Sequence, residues 1–217
     1  MDIKEKSKVL KILNIDYLYH MTHLDNLNSI LEYGLYPHGN KYQIKDISNN
    51  EVNNRRLKKE SVYNRSIHKY VPFYFNPRNA MLYRNQRYFR NNIIILGYNN
   101  IIACKNGTVF TTCNASSDKA RFTGNISSLS KFKWKNIFSR RWTKKLEFED
   151  GSYKFISNNS IKQEMMAEIL IANRVKHKNL NIIFTQDSKT AKFIVSNFKL
   201  DNIKVVVNQS LFFKDYI

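Results

Sequence analysis

Five kinds of side chain in this sequence could carry chemistry, and their spacing is the first thing to weigh. His20 and Thr22 sit two apart in LYHMTHLDNL, at the end of an apolar stretch that reads as a strand. Residues two apart on a strand point to the same face, so an imidazole and a hydroxyl there could hydrogen-bond one ligand, a ribose for instance. His23 follows, but no further Cys/His cluster completes a metal site, and a lone histidine is more often a satisfied structural residue. Glu164 and Glu168 lie four apart in QEMMAEIL. A solvated pair on a helix is the plain reading of that spacing. Glu168, however, stands inside Met-Met-Ala-Glu-Ile-Leu-Ile, where a carboxylate is costly unless it has a partner or a task. Arg55 and Arg56 form a pair in a polar stretch before an aromatic strand. They are either an exposed basic loop or a phosphate clamp or catalytic cation.

The fifth feature is KFKWKNIFSRRWTKK, residues 131–145. It sets Trp134 and Trp142 among Lys131, Lys133, Lys135, Arg140, Arg141, Lys144 and Lys145. Such interleaving suits a single-stranded nucleic acid, with bases on the rings and phosphates on the cations. The structural alternative buries the rings and solvates the cations. The whole chain points the same way, since 36 Lys+Arg against 17 Asp+Glu give a formal charge of +19, which favours polyanion partners. The abundance of Lys, Asn, Ile, Tyr and Phe also fits an AT-rich coding sequence, which raises lysine everywhere. The placement of the charge therefore matters more than its sum.

These residues need elements to position them. The 217 residues, 42% hydrophobic, suffice for one domain with a core, and residues 1–217 are expected to form a single domain. Asp16–Met21 reads as a strand, and Leu24–Tyr33 as a helix capped by Thr22 or Asp25 and stopped by Gly34. Residues 42–69 read as a long polar loop. Strands are expected at Tyr70–Phe75, Asn92–Gly97, Thr108–Thr112, Asn181–Thr185 and Lys204–Asn208. Pro72 suggests an edge for the first of these. Asn114–Lys119 reads as a capped short helix and Ser188–Phe198 as an amphipathic helix capped by Ser188. Residues 127–160 are the least regular. Strands and helices mix without strict alternation and without a Gly-rich dinucleotide loop, so the class is α+β. Cys104 and Cys113 are expected to be free thiols. No apolar run spans a membrane and no signal peptide is evident, which implies a cytoplasmic protein.

Taken in order, LYHMTHLDNLNSILEYGL, the Arg-Arg pair, HKYVPFYFNPRNAMLY, RFTGNISSL, SRRW, AEILI and VVVNQSLFF resemble the DarT family. Its members are bacterial toxins that ADP-ribosylate DNA. The resemblance runs from about His20 to Phe213, and the stretch Tyr70–Tyr83 is its most specific part. It implies an ADP-ribosyltransferase-like fold with a central mixed or antiparallel sheet, NAD+ as co-substrate and no metal. It implies that His20, Met21, Thr22, Asn28, Leu35, Tyr70, Tyr74 and Phe75 line the NAD+ pocket, with His23 structuring the turn. Glu168 matches the catalytic glutamate, and Arg55 or Arg56 the catalytic arginine. Single-stranded DNA would meet residues 131–145 and Arg78. A macrodomain-type antitoxin is a further implication; a monomer is the default expectation. The sequence departs from many relatives before Glu168, where Lys162–Met166 replaces a basic run, and at Leu211–Phe213 in place of an aromatic closing. Thymine is the favoured acceptor. Guanine, RNA or protein acceptors are the rivals within the class, and an inactive nucleic-acid-binding module is the rival outside it.

Overall fold

The structure, a computed structural model, describes residues 1–214. An N-terminal helix α1 (Ile3–Ile12) opens the chain on a capping box in which Asp2 and Glu5 satisfy each other's backbone N–H groups. Strand β1 (Tyr17–His23) leads into a 3₁₀ turn and helix α2 (Leu27–Tyr33). The cap differs from the expected one. The His23 Nδ1 accepts from the Asp25 N–H at 3.2 Å, while the Thr22 side chain turns elsewhere. Gly34 ends α2 at φ +82°, and a Cβ there would collide with the Val175 carbonyl. Only glycine allows the close Leu35–Val175 bridge that follows. The polar stretch after it carries one short helix, α3 (Asn50–Arg55).

An eight-stranded mixed sheet forms the frame. It comprises β1, β2 (Tyr70–Tyr74), β3 (Ile93–Asn99), β4 (Val109–Thr111), β5 (Phe122–Thr123), β8 (Glu168–Ala172), β9 (Leu180–Thr185) and β10 (Lys204–Val207), in the order β10-β9-β3-β1-β2-β8-β4-β5. Among the described residues only β9 and β10 pair in parallel. β3 is buried through Tyr98 and sits in the middle of the sheet, which is why its run of Ile and Leu shows no alternation. Helices α4 (Ala80–Phe89) and α7 (Ser188–Asn197) cover the sheet. Asp187, not Ser188, caps α7 through its side chain. Residues 114–120 form turns with no helix, fixed by the Asn114 side chain on the Ser116 N–H.

Pro72 marks the feature that matters for function. β2 is an interior strand, against the edge position that its proline suggests. β1 pairs with β3 from Tyr17↔Asn99 to His23↔Ile93, yet meets β2 only at Tyr19↔Tyr74. The two strands diverge beyond that pair. The Pro72 carbonyl faces the gap and accepts from the His20 Nδ1–H at 2.9 Å. N–H and C=O of one strand residue point the same way, so the donor that proline lacks is missing where no ladder exists. The sheet is split there, and a cleft opens along the split.

Residues 127–160 hold more structure than their sequence suggests. Helix α5 (Trp134–Ile137) is followed by an exposed ribbon of β6 (Thr143–Glu147) and β7 (Tyr153–Ser157), which joins no other strand. Helix α6 (Asn159–Glu164) then delivers the chain to β8.

Candidate active site

The cleft at the split is lined by β1 (His20, Met21, Thr22), by β2 (Tyr70, Pro72, Tyr74), by Leu35 and by the segment 36–49, with Arg56 and Asn114 at one end. Its second wall is irregular chain, and the sequence explains how that chain is held. Asn26, 6% exposed, uses its whole amide. Its oxygen accepts from the N–H groups of Ile44 and Lys45 at 2.9 and 2.8 Å, and its nitrogen donates to the Lys45 carbonyl and the Thr22 hydroxyl at 2.8 and 3.0 Å. Ser29 adds a bond to the Tyr42 carbonyl at 2.7 Å, and Tyr42 stacks on Tyr33 at 4.4 Å. Asn28, the residue expected here, is exposed and lies outside the cleft.

Glu168 begins β8 and is 0% exposed. The Arg56 guanidinium meets it in a fork, with Nη1 to Oε1 at 3.1 Å and Nη2 to Oε2 at 2.7 Å. The Ala115 N–H donates a third bond to Oε1 at 2.9 Å. Burial on its own would depress the Arg56 guanidinium; the Glu168 charge and hydrogen bonds outweigh it and hold the pKa above its ordinary value. Three segments far apart in sequence thus meet at one carboxylate. Arg55, one residue earlier, is exposed and makes no such contact. Helix α3 ends at Arg55 with Arg56 as its C-cap, so adjacent residues point in different directions. Tyr74 stands opposite Glu168 in the β2–β8 ladder, and its phenol pKa is raised by burial and then by the Glu168 charge.

His20 is oriented by its Nδ1–H bond to Pro72, which leaves Nε2 as an acceptor. Burial lowers its pKa, so it is neutral at pH 7, with the Pro72 bond acting the other way. His23 sits three residues on, on the opposite face of β1, and the two do not converge. Among the described residues no group of three or more His, Cys, Asp or Glu could hold a metal ion. Cys104 and Cys113 are free and buried.

Several expected site residues fall elsewhere. Phe75 belongs to the core, stacked near Phe110 at 6.4 Å and edge-on to Trp134 at 5.1 Å. Glu164 lies outside the cleft and ties α6 to α5, accepting from Lys133 at 2.8 Å and from Asn136 at 2.6 Å. Burial opposes ionisation there, but those bonds and the Lys133 charge hold its pKa low. Both tryptophans are half-buried and packed against aromatic neighbours. Trp134 packs between Phe132 and Phe138 at 5.7 and 5.5 Å and donates to the Leu129 carbonyl at 2.8 Å. Trp142 wedges against Tyr83 and Phe213 at 5.8 and 5.5 Å. The cations around them, Lys131, Lys133, Lys135, Arg140, Arg141, Lys144 and Lys145, are all exposed. Arg78 lies over the Phe213 ring at 4.1 Å and donates to the Arg140 carbonyl. Sequence reasoning missed Asn26, Ser29, His38, His68 and Ala115, which line the cleft or bond within it across irregular segments.

A family model described as the ssDNA thymidine ADP-ribosyltransferase DarT matches residues 19–213. The chain belongs to the DarT family. A Thermosipho africanus DNA ADP-ribosyl transferase–DNA ADP-ribosyl glycohydrolase fusion protein is 29% identical over 203 residues, 90% of this chain and 49% of the relative. The chain thus spans about half the length of that DarT relative. A Thermus DNA ADP-ribosyl transferase is 28% identical over 180 residues, 76% of this chain and 86% of the relative. Two solved structures share the fold. Thermosipho africanus DarTG in complex with ADP-ribose superposes with TM-score 0.76 at 25% identity, over 91% of this chain and 51% of the other. Thermus sp. 2.9 DarT in complex with ADP-ribosylated ssDNA gives 0.74 at 21% identity, over 92% and 97%. The α+β architecture described above is therefore the fold of those DarT structures.

Proposed function

We propose that this protein transfers ADP-ribose from NAD+ to a thymine base of single-stranded DNA, releasing nicotinamide. The observation that carries the reading is the buried Arg56–Glu168 fork at the end of a cleft that also presents the free acceptor of His20. Family membership, and solved relatives holding NAD+ and ADP-ribosylated ssDNA, support it.

In this reading the chemistry is a displacement at ribose C1″. Positive charge develops on that ribose as the bond to nicotinamide breaks. Glu168 stabilises it through the 2″-hydroxyl, using the lone pair of Oε2 that Arg56 does not occupy. The carboxylate has no solvent exposure, so Arg56 and Tyr74, which stand in front of it in the cleft, give way as the nucleotide enters. His20 accepts from a ribose hydroxyl. Thr22 contributes indirectly, because its hydroxyl is bonded to Asn26 and so to the segment covering the cleft. Met21, Leu35, Tyr70 and Tyr74 supply walls. Arg56 rather than Arg55 is the catalytic arginine. Guanidinium hardly deprotonates, so its part is electrostatic.

The base must leave any duplex to be reached, hence a single strand. Exposed cations at Lys131, Lys133, Lys135, Arg140, Arg141, Lys144 and Lys145 bind its phosphates. All eight strands of the sheet draw on the chain from Tyr17 to Val207, which supports one catalytic domain over residues 1–217. The same reading makes the protein a cytoplasmic toxin, active as a monomer and restrained by a macrodomain-type antitoxin. The Thermosipho relative, named as a fusion with a DNA ADP-ribosyl glycohydrolase, supports such a partner. No helix among the described residues is long and apolar enough to cross a membrane.

The deciding experiment incubates the protein with NAD+ and single-stranded oligonucleotides that each carry one reactive base type, followed by mass analysis. One ADP-ribose added to the thymine oligonucleotide is the expected result. Addition to guanine alone would move the acceptor. Addition to no DNA would turn the search to RNA or protein, and then to the inactive binding module.

A further inference from the structure

Transfer to thymine leaves one proton unassigned. N1 of the base carries the sugar, so the reacting nitrogen is N3, and N3 bears a proton that must leave as the bond to C1″ forms. Arg56 cannot take it, because guanidinium has no lone pair to offer. Glu168 accepts from the Ala115 N–H, and the oxygen that faces the nucleotide is assigned to the ribose 2″-hydroxyl. His20 has its acceptor on the ribose side.

A third imidazole lines the same cleft. His68 lies in the 3₁₀ turn Ile67–Lys69 that leads into β2. Its Nε2–H donates to the Asn53 carbonyl at 2.8 Å, and a carbonyl can only accept, so this bond fixes the tautomer. Nδ1 is therefore a bare acceptor, and it is buried with no hydrogen-bond partner. A buried acceptor without a donor is uncommon and costly, which is tolerated where a ligand supplies the donor. We propose that His68 is the proton acceptor for the target base.

This assignment rests on the thymine reading above. As the C1″–nicotinamide bond breaks, its electron pair leaves with the nicotinamide nitrogen. N3 forms the new bond to C1″, and the N3 proton passes to His68 Nδ1, giving an imidazolium that loses it to solvent on product release. The charged and titratable groups facing the ring are His38, tilted against it at 5.0 Å, and Arg56, with Glu168 behind Arg56. Burial first, with His38 and Arg56 adding to it against the Asn53 bond, lowers the pKa from 6.5, so the ring is neutral and able to accept at pH 7. His38 is exposed, on the segment that covers the cleft, and the base enters by displacing its ring.

His68→Gln tests this, since the glutamine Nε2 can keep the bond to Asn53 while no basic lone pair remains. The kcat for thymine oligonucleotides should fall by about 10²–10⁴-fold, with KM for NAD+ moving far less. The variant's rate should climb by about tenfold per pH unit on the alkaline side as N3–H ionises unaided, whereas the wild type stays flat there. An oligonucleotide carrying 5-fluorouracil, whose ring N–H is more acidic, should rescue the variant more than the wild type. An unchanged rate, or a loss that is uniform in pH with no rescue, overturns the assignment while the activity stands. Should the variant not fold, the wild type still decides: a rate that climbs with pH above 7 and favours 5-fluorouracil means unassisted ionisation and no base. A wild type that leaves DNA unmodified overturns the activity reading and this inference together.

Discussion

The Arg56–Glu168 centre and the basic segment 131–145 are both charged, yet they are built in opposite ways. At the centre a carboxylate with no exposure takes three hydrogen bonds from two distant segments, and its guanidinium partner is 8% exposed. In the basic segment the cations reach solvent while the apolar rings between them hold the protein together. The difference fits the two tasks proposed for them. Stabilising a developing charge needs dipoles and ions fixed in a dry place, where each is worth more. Holding a polymer of phosphates needs a field at the surface, where geometry can be loose. The comparison predicts that mutations in the first region act on rate and fold together, and that mutations of the cations in the second act on affinity alone.

The largest expected effect is at Glu168. Glu168→Gln keeps the shape but removes the charge, and transfer should fall by about 10²–10³-fold or more. The variant should still bind single-stranded DNA. Normal transfer by this variant in the mass assay would dissolve the distinction between the regions. Next is the pair that sequence could not separate. Arg56→Ala leaves a buried carboxylate unpaired and should cost about 3–5 kcal/mol of stability, read from denaturant unfolding, besides activity. Arg55→Ala, at an exposed helix end, should change neither by more than about twofold in rate or 0.5 kcal/mol in stability. Equal effects at the two positions would mean that the fork is not what positions the catalytic cation.

Legibility in the sequence follows the same division. Strands β1, β2, β3, β4, β9 and β10 and the stop at Gly34 could be read because burial on one or both faces imposes a pattern and a left-handed turn demands glycine. Glu168 was legible because a carboxylate inside an apolar run contradicts its surroundings. The choice between Arg55 and Arg56 was not, since it depends on where α3 ends. Pro72 misled because a missing N–H marks any unpaired site, and here the unpaired site is a fissure inside the sheet. Asn26 went unread for a related reason: its partners lie at Ile44 and Lys45, on a stretch with no period to announce it. The β6–β7 ribbon left no alternation to read because both its faces are exposed.

A smaller effect is expected at Trp134, where the two readings of the basic segment divide. As a packing residue it should cost about 2–4 kcal/mol when replaced by Ala, lowering Tm, with little change in the DNA affinity of the folded protein. As a stacking platform it would instead weaken binding by about 1–3 kcal/mol with stability kept. Its contacts with Phe75, Phe132 and Phe138 support the first outcome.

The smallest effect per residue belongs to the exposed cations. Each phosphate contact made to a single strand contributes a slope of about −0.7 to the dependence of log affinity on log salt. Replacing Arg140, Arg141 and Lys144 by Ala should therefore make the slope shallower by up to about 2 and leave affinity at high salt nearly unchanged. Lys133 and Lys145 should contribute less, because each is already paired, with Glu164 and Glu147 respectively. Breaking those pairs with Glu164→Gln or Glu147→Gln gives the sharper test. If cations here bind by availability, Glu147→Gln frees Lys145 and steepens the slope. Glu164→Gln frees Lys133 but also removes a bond from Asn136, so any gain in affinity there is offset by looser α5–α6 packing. A slope that ignores all of these changes would place the phosphate track outside residues 131–145, while leaving the Arg56–Glu168 centre as it stands.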